Sequence, residues 1–260
     1  EHRFPNEEPA KFVSMASDLV ALKPDVLLTA GGPASIAAKN ATATIPIVFI
    51  AVPDPIASKL VDSLARPSGN VTGLSNFAVQ VAAKRIEFLK AAVPSLSRIA
   101  LLVNPNAPIT RRYIEESQEA AEKLRLNVQP FEARSLQEID RAFDAMVKAR
   151  MQAVSINADG LFFQQRAMVG KISITHRLPT CAYSRETLEG GALMSYGPDS
   201  RGLFRRAATF ADKLLKGAKP SDLPVEQPSR IEFLINGKTA KAIGITIPRE
   251  LLLRADEVIE

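Results

Sequence analysis

Polar and charged residues gather in this chain directly after apolar runs, where a strand would end and its loop begin. Ser35 follows the run that ends at Thr29, Asp54 follows Ile50, and Asn76 closes the run Val71–Asn76. Further along, Asn104 and Asn106 follow one run, Asn157 and Asp159 a second, and Tyr183, Ser184, Arg185 and Glu186 a third. The chemistry open to such a set is recognition. Helix starts favour an anion such as a carboxylate, while Asp54, Asp159 and Glu186 can hold a cation, so together the set suits a zwitterion. Each residue also has an architectural role open to it. Asp54, Asp159 and Ser184 are good helix N-caps, and Asn104-Pro105 is an ordinary turn.

Bond-making chemistry finds few candidates. His2 and His176 are the only histidines, and His176 falls in the last turn of an expected helix, where a cation meets the helix dipole. Cys181, the one cysteine, sits in an apolar strand and reads as a small buried hydrophobe; alone, it excludes an internal disulfide and a multi-cysteine metal site. Asn236-Gly237-Lys238-Thr239 has the end of a P-loop, but Glu232 stands where the first glycine is needed. No G-x-G-x-x-G or G-x-S-x-G occurs, and the carboxylates lack metal-ligand spacing. No cofactor, no metal and no catalytic residue is expected.

The elements that would position the polar set centre on Pro24–Pro55. An apolar run, Asp25–Thr29, ends in the small-residue turn Ala30-Gly31-Gly32-Pro33-Ala34-Ser35; an Ala-rich helix and a second run, Ile45–Ile50, follow. Strand, tight turn, helix, strand is a βαβ unit with parallel strands in a covered sheet. Ligands of such sheets sit beyond the carboxyl ends, where the strand order reverses. Helices are expected over 10–23 and 56–65, and a third strand over 71–76. A second series follows: helix 78–93, strand 98–104, helix 109–126, strand 127–134, helix 135–150, strand 153–158, helix 160–177, strand 180–183, helix 184–189 and strand 192–196. Ser135 with Glu138 forms a capping box. Helix 199–216, strand 231–235, a helix from Lys238 stopped at Gly244, and a last helix opened by Pro248 complete the chain. The alternation predicts an α/β protein with two parallel doubly wound sheets.

At 260 residues and 46% hydrophobic side chains, the chain can bury a core as one large domain or two smaller ones. Its net charge of +5 is spread among alternating signs, as in Arg111–Lys123, with 6% aromatics and no Trp, so a nucleic-acid groove is not expected. No apolar run approaches the roughly 18 residues of a membrane-spanning helix. The chain opens at Glu1-His2-Arg3-Phe4 without an initiator Met and reads as processed or truncated, so its lack of a signal peptide is silent on compartment.

Several stretches carry a family likeness: Pro24-Asp25-Val26, Gly32-Pro33-Ala34, Ile45-Pro46-Ile47-Val48-Phe49 with Asp54-Pro55, and Ala65-Arg66-Pro67-Ser68-Gly69-Asn70-Val71-Thr72-Gly73-Leu74-Ser75. Later come His176-Arg177-Leu178-Pro179, Gly190-Gly191-Ala192-Leu193-Met194-Ser195-Tyr196-Gly197-Pro198, Leu214-Leu215-Lys216-Gly217 through Pro228, Thr239-Ala240-Lys241-Ala242-Ile243-Gly244 and Ile247-Pro248. With these, the chain resembles the substrate-binding proteins of ABC transporters, within the type I periplasmic-binding group that includes tryptophan- and tyrosine-type receptors. The resemblance implies two α/β lobes with a hinged cleft, residues 1–76 with 197–224 and residues 77–196 with 225–260, and hinges near Asn76, Gly197 and Pro224. It implies ligand contacts at Gly31, Gly32, Pro33, Ala34 and Ser35, at Val52 and Asp54, at Asn157, Asp159 and Phe162, and at Tyr183, Ser184 and Glu186. It further implies a small polar or zwitterionic solute (amino-acid or aromatic-acid-like), a membrane permease as partner, a periplasmic location, a monomer, and no enzymatic step.

Family members begin with a strand and helix ahead of the strand corresponding to 25–29, so an N-terminal strand and helix are expected to be missing here. Gly31-Gly32 stands where Gly-Thr or Gly-Ser is common, which removes a side-chain hydroxyl. Two other functions fit the same layout: the effector domain of a sugar- or purine-type repressor, which needs a DNA-binding headpiece not visible here, and an enzyme using the cleft.

Overall fold

The computed structural model describes residues 1–4, 11–76 and 81–260. Its elements run α1 (Lys11–Ala21), β1 (Leu27–Ala30), α2 (Gly32–Ala41), β2 (Ile47–Val52), β3 (Val71–Ser75), α3 (Ala82–Ala92), β4 (Arg98–Val103) and α4 (Thr110–Lys123). They continue with β5 (Asn127–Glu132), α5 (Leu136–Lys148), β6 (Ala153–Ile156), α6 (Gly160–Gln164), α7 (Arg166–Thr175), β7 (Thr180–Ala182), α8 (Arg185–Glu189) and β8 (Met194–Pro198). The chain ends with α9 (Ser200–Leu215), β9 (Ile231–Asn236), α10 (Gly237–Ile243), α11 (Arg249–Leu252) and β10 (Glu257–Ile259). It divides into two compact units, Glu1–Phe77 with Ser200–Ser229, and Ala78–Asp199 with Arg230–Glu260.

The first unit is built on a parallel sheet of order β1-β2-β3, with Leu27 opposite Ile47 and Ile47 opposite Val71. β2 is apolar throughout because both its faces are covered. Ile47 and Phe49 pack with Leu27, Ala38 and Leu60 on one side, while Val48 and Ile50 pack with Leu203, Ala207, Phe210 and Leu214 of α9 on the other. Gly73 lets β3 approach β2: a Cβ there would lie 2.1 Å from the Phe49 carbonyl oxygen. The helix expected over 56–65 does not form. Lys59 takes φ 54°, the chain folds as turns, and Leu60 and Val61 enter the core, so tertiary burial overrides the local helical signal.

The second unit carries a seven-stranded sheet of order β10-β9-β8-β7-β6-β4-β5. One face buries Ile99, Leu101 and Val103 under α3 and α4; the other buries Ala100, Leu102, Val154 and Ile156 under α5 and α7. The sequence predicts a parallel sheet, and here it is corrected: β8 and β9 pair antiparallel, Pro198 opposite Ile231, and β10, a strand the sequence reading did not expect after the helix opened by Pro248, adds a parallel edge to β9. Residues 197–198 therefore belong with this sheet, and Val225 and Glu226, which bond to Leu64, Gly73 and Ser75, belong with the first unit. The division between the units falls at 199/200 and at 229/230.

Other departures are local. The helix expected over 160–177 breaks at Gln165 into α6 and α7. Ser135 caps α5 by accepting from the Glu138 N–H, as the capping signal predicts, while Glu138 Oε2 accepts from the N–H of Arg134 rather than from that of Ser135. Gly244 ends α10 with φ 75°, the left-handed cap its position called for. Residues 5–10 and 77–80, which include the starts of the helices expected over 10–23 and 78–93, lie outside the described residues.

Candidate functional site

In the second unit the chain runs from β4 outward to β5 and then returns past β4 to β6, so the order reverses between β4 and β6. At such a switch point the loops from adjacent carboxyl ends diverge and leave a crevice. The residues that follow β4, β6 and β7, three adjacent strands, meet there. Asn104 Nδ2 donates to Asp159 Oδ1 at 3.2 Å, and Asn104 Oδ1 accepts from the Asn106 N–H at 3.1 Å. Thr110, opening α4, donates its hydroxyl to the Asn104 carbonyl at 2.5 Å, and Asn157 Nδ2 donates to Thr110 Oγ1 at 3.4 Å. Asn157 is 1% exposed, and its Oδ1 has no hydrogen-bond partner among the described residues. Tyr183 packs on Ile109 and Ala158, which brings the β7 loop into the same cluster.

The electrostatics follow from burial. Desolvation raises the Asp159 pKa, and the bonds from Asn104 and the Leu161 N–H only partly oppose it. Burial also raises the Tyr183 phenol far above its ordinary value, the charges of Asp159 and Glu186 push the same way, and Arg85 and Arg166 oppose. The phenol is therefore a neutral hydroxyl near physiological pH. Arg85 is fully buried beneath this site: its Nη1 donates to the Ile156 carbonyl at 3.5 Å, and its guanidinium lies 5.5 Å from the Tyr113 ring centroid. Sequence reasoning missed Arg85 and Thr110. The signal for Arg85 was present, since Ala82, Arg85, Ile86 and Leu89 share the i, i+3, i+4, i+7 stripe of α3.

The architectural readings also hold for several candidates. Asp159 caps α6 by accepting from the Leu161 N–H at 2.9 Å, and Ser184 caps α8 by accepting from the Thr187 N–H at 3.3 Å. Glu186 lies half-buried in the first turn of α8, whose Arg185 is held by both carboxylate oxygens of Glu257 at 3.2 and 2.6 Å. Phe162 is fully buried among core residues of the sheet face that carries α5 and α7. Cys181 is buried, its thiol pushed up to about 12 chiefly by desolvation, so it is protonated and inert. His176 closes α7 with Nε2 3.9 Å from Asp144 Oδ1. Asn236 caps α10 from the Thr239 N–H, which gives the Gly237-Lys238 segment a structural role.

In the first unit the polar groups bond to nearby backbone. Ser35 is fully buried; it donates to the Gly31 carbonyl at 2.6 Å and lies 2.9 Å from Thr29 Oγ1, closing the turn between β1 and α2. Asp54 Oδ1 accepts from the N–H groups of Ile56 and Ala57 at 3.2 and 2.9 Å. Asn76 donates to the Ala51 carbonyl at 3.2 Å, pinning β3 to a bulge where Ala51 takes φ 58°. Val52 is fully buried core. The order β1-β2-β3 contains no reversal. What remains open is the start of α2: it has no side-chain cap, Gly31, Gly32 and Ala34 are half-buried, Pro33 is exposed, and a Cβ on either glycine would meet nothing within 4 Å.

Among the described residues no group of three His, Cys, Asp or Glu could hold a metal ion, and no helix is long and apolar enough to cross a membrane. Residues 3–259 match the family described as ABC transporter substrate binding protein, and the chain belongs to that family. It is 29% identical over 232 residues to a tyrosine-binding protein of Clostridioides difficile (strain R20291), a match covering 89% of this chain and 66% of that relative. A solved ABC domain from Streptococcus pneumonia in complex with L-Trp is 31% identical with a TM-score of 0.88, covering 97% of this chain and 86% of that one. A conserved domain protein from Vibrio cholerae is 28% identical with a TM-score of 0.90, covering 96% and 84% of the two chains. The fold is that of the type I periplasmic-binding proteins, a mixed α/β architecture with largely parallel sheets.

Proposed function

We propose that this chain captures an amino acid with an aromatic side chain and presents it to the permease of an ABC importer. The observation that carries the reading is the joining of Asn104, Asn157, Asp159 and Tyr183 at the switch point of the second unit. A charged carboxylate, neutral amide and phenol groups, and a nearby tyrosine ring suit a small polar solute with an apolar body. The tyrosine-binding relative and the L-Trp complex support the aromatic amino-acid class. The chain works by binding alone, as a monomer outside the cytoplasm, in the periplasm of a two-membrane cell.

Thermal melting with L-tryptophan, L-tyrosine, aliphatic amino acids and hexoses tests this. A binder raises the melting temperature by mass action. The expected result is a concentration-dependent rise with L-tryptophan or L-tyrosine; a rise with hexoses alone overturns the reading.

A further inference from the structure

Resting on the reading that the loop after β7 meets the solute, we propose that Arg185 is a positioning residue for that loop. Anchored on Glu257 and Glu232 of the last two strands, it holds Tyr183 at the switch point through the backbone rather than through any contact with the solute. Nothing in the local sequence asks for an arginine here. Arg185 is the first residue of α8, at the positive end of the helix, where an acid such as the neighbouring Glu186 is favoured and a cation is not. Its side chain is nonetheless only 17% exposed and closely paired. Two of its nitrogens donate to the two carboxylate oxygens of Glu257 at 3.2 and 2.6 Å, and Nε lies 4.0 Å from Glu232 Oε2. Glu232 is itself largely buried, its other oxygen 3.4 Å from Arg230. A forked pair of this kind, mostly withdrawn from water, fixes a geometry as well as a charge.

Strand order shows what the anchor does. From β7, Tyr183 reaches one way, packing on Ile109 and Ala158, which follow β4 and β6. Arg185, two residues on, reaches the other way, past β8 to β9 and β10. The loop is thus held from opposite sides of its own strand, and the span between the two anchors has no slack. Gly197 of β8 stands opposite Glu232 of β9, and a Cβ on Gly197 would lie 1.8 Å from the Tyr183 carbonyl oxygen. Tyr183 backbone, Gly197, Glu232 and Arg185 are therefore packed in one line from the site to the sheet edge. Glu257 comes 72 positions after Arg185, so the closing strand of the chain sets the place of a loop at the site. Loss of the outer anchor frees the first turn of α8, and Tyr183 with it.

Two measurements on the full chain test this. In calorimetric titration with L-tryptophan and L-tyrosine, Arg185→Met and Glu257→Ala should each weaken binding by about three- to tenfold. The double variant should bind no more weakly than Arg185→Met alone, because both changes remove one anchor. Ser135→Ala, which removes the cap of α5, lowers stability without touching the anchor and should leave affinity unchanged. The second measurement needs no solute: alkaline absorbance titration of the three tyrosines. Burial raises the Tyr183 phenol, so in Arg185→Met and Glu257→Ala one phenol should titrate closer to the ordinary value of about 10. Adding Tyr183→Phe to either variant should remove that phenol. An unchanged phenol titration in both variants overturns the proposal, and so does unchanged affinity for a solute that the wild type binds. An affinity loss in Ser135→Ala equal to theirs makes the effect one of general stability and overturns it as well. If neither aromatic amino acid binds the wild type, the aromatic reading falls, and the phenol titration alone decides whether Arg185 holds the loop.

Discussion

The carboxyl ends of the strands differ between the two units in what their polar side chains are left to do. In the first, Ser35, Asp54 and Asn76 all bond to backbone of their own loops or of the neighbouring strand. In the second, Asn104, Thr110, Asn157 and Asp159 bond chiefly to one another across two chain segments and leave acceptors over. The difference tracks sheet order. Where β1-β2-β3 runs straight, adjacent loops are close and satisfy each other; where the order reverses between β4 and β6, they part and side chains must span the gap. A polar residue after a strand is thus a weak functional signal alone and a stronger one at a reversal.

The largest effect that separates the two regions is steric. A Cβ on Gly197 would lie 1.8 Å from the Tyr183 carbonyl oxygen, whereas one on Gly31 would meet nothing within 4 Å. Gly197→Ala should destabilise by about 3 kcal/mol or more. Gly31→Ala, strained only through its φ of 80° and ψ of 165°, a region essentially reserved for glycine, should cost about 1–3 kcal/mol. Urea unfolding midpoints check both, and equal costs would erase the contrast.

Next come the two aspartates that cap their loops. Asp159→Ala should weaken amino-acid binding by about tenfold or more, since it removes the carboxylate of the proposed binding site. Asp54→Ala should cost about 1 kcal/mol of stability, as loss of a cap does, and change affinity less than about twofold. Titration and melting of each variant decide the matter. A large affinity loss at Asp54 would restore it as a ligand contact and show that its bonds to Ile56 and Ala57 do not exhaust it.

What could be read in advance divides along the same line. The apolar run of β2, the Ser135–Glu138 cap and the Gly244 stop are local signals, and each was legible. The turns at 56–61 were not, because Leu60 and Val61 are drawn in by a core assembled from distant segments. Nor was the antiparallel pairing of β8 with β9, whose strands are separated by α9. At the site, Asn157 and Asp159 were visible as polar residues after a strand. The Asn104–Asp159 bond spans 55 positions, and the acceptor it leaves over depends on the orientation of Thr110, which no spacing encodes.

Acid response should differ in sign between the units. Burial raises the folded pKa of Asp159, so its favourable contribution to stability is fully present below the ordinary Asp value of about 3.9 and is lost as pH rises through the raised folded value. Amino-acid binding at the proposed site needs the carboxylate, so affinity should fall on acidification from a higher pH than an ordinary Asp would give. In the first unit the bidentate bond from Arg206 lowers the Glu226 pKa. Its contribution is present above the ordinary Glu value of about 4.3 and is lost only as pH falls through the lowered one; it is small because the pair is partly exposed. Melting and titration from about pH 7 to about pH 4 should show affinity falling while stability from Asp159 rises, and Asp159→Asn should abolish both slopes.

The smallest expected effect probes whether the first unit touches the solute at all. Gly32 is the first residue of α2, has room for a side chain and has no positive φ. Gly32→Ser should therefore fold normally, with stability unchanged or raised by up to about 1 kcal/mol because the unfolded chain loses freedom. Its hydroxyl would join the open N–H groups at the helix start, where an anion is favoured. If a ligand carboxylate docks there, L-tryptophan or L-tyrosine should bind about two- to fivefold more tightly, a gain of roughly 0.5–1 kcal/mol, while tryptamine and tyramine, which lack the carboxylate, should be unaffected. An equal change for acid and amine would show that the hydroxyl acts without meeting a carboxylate, and recognition would then rest on the reversal in the second sheet.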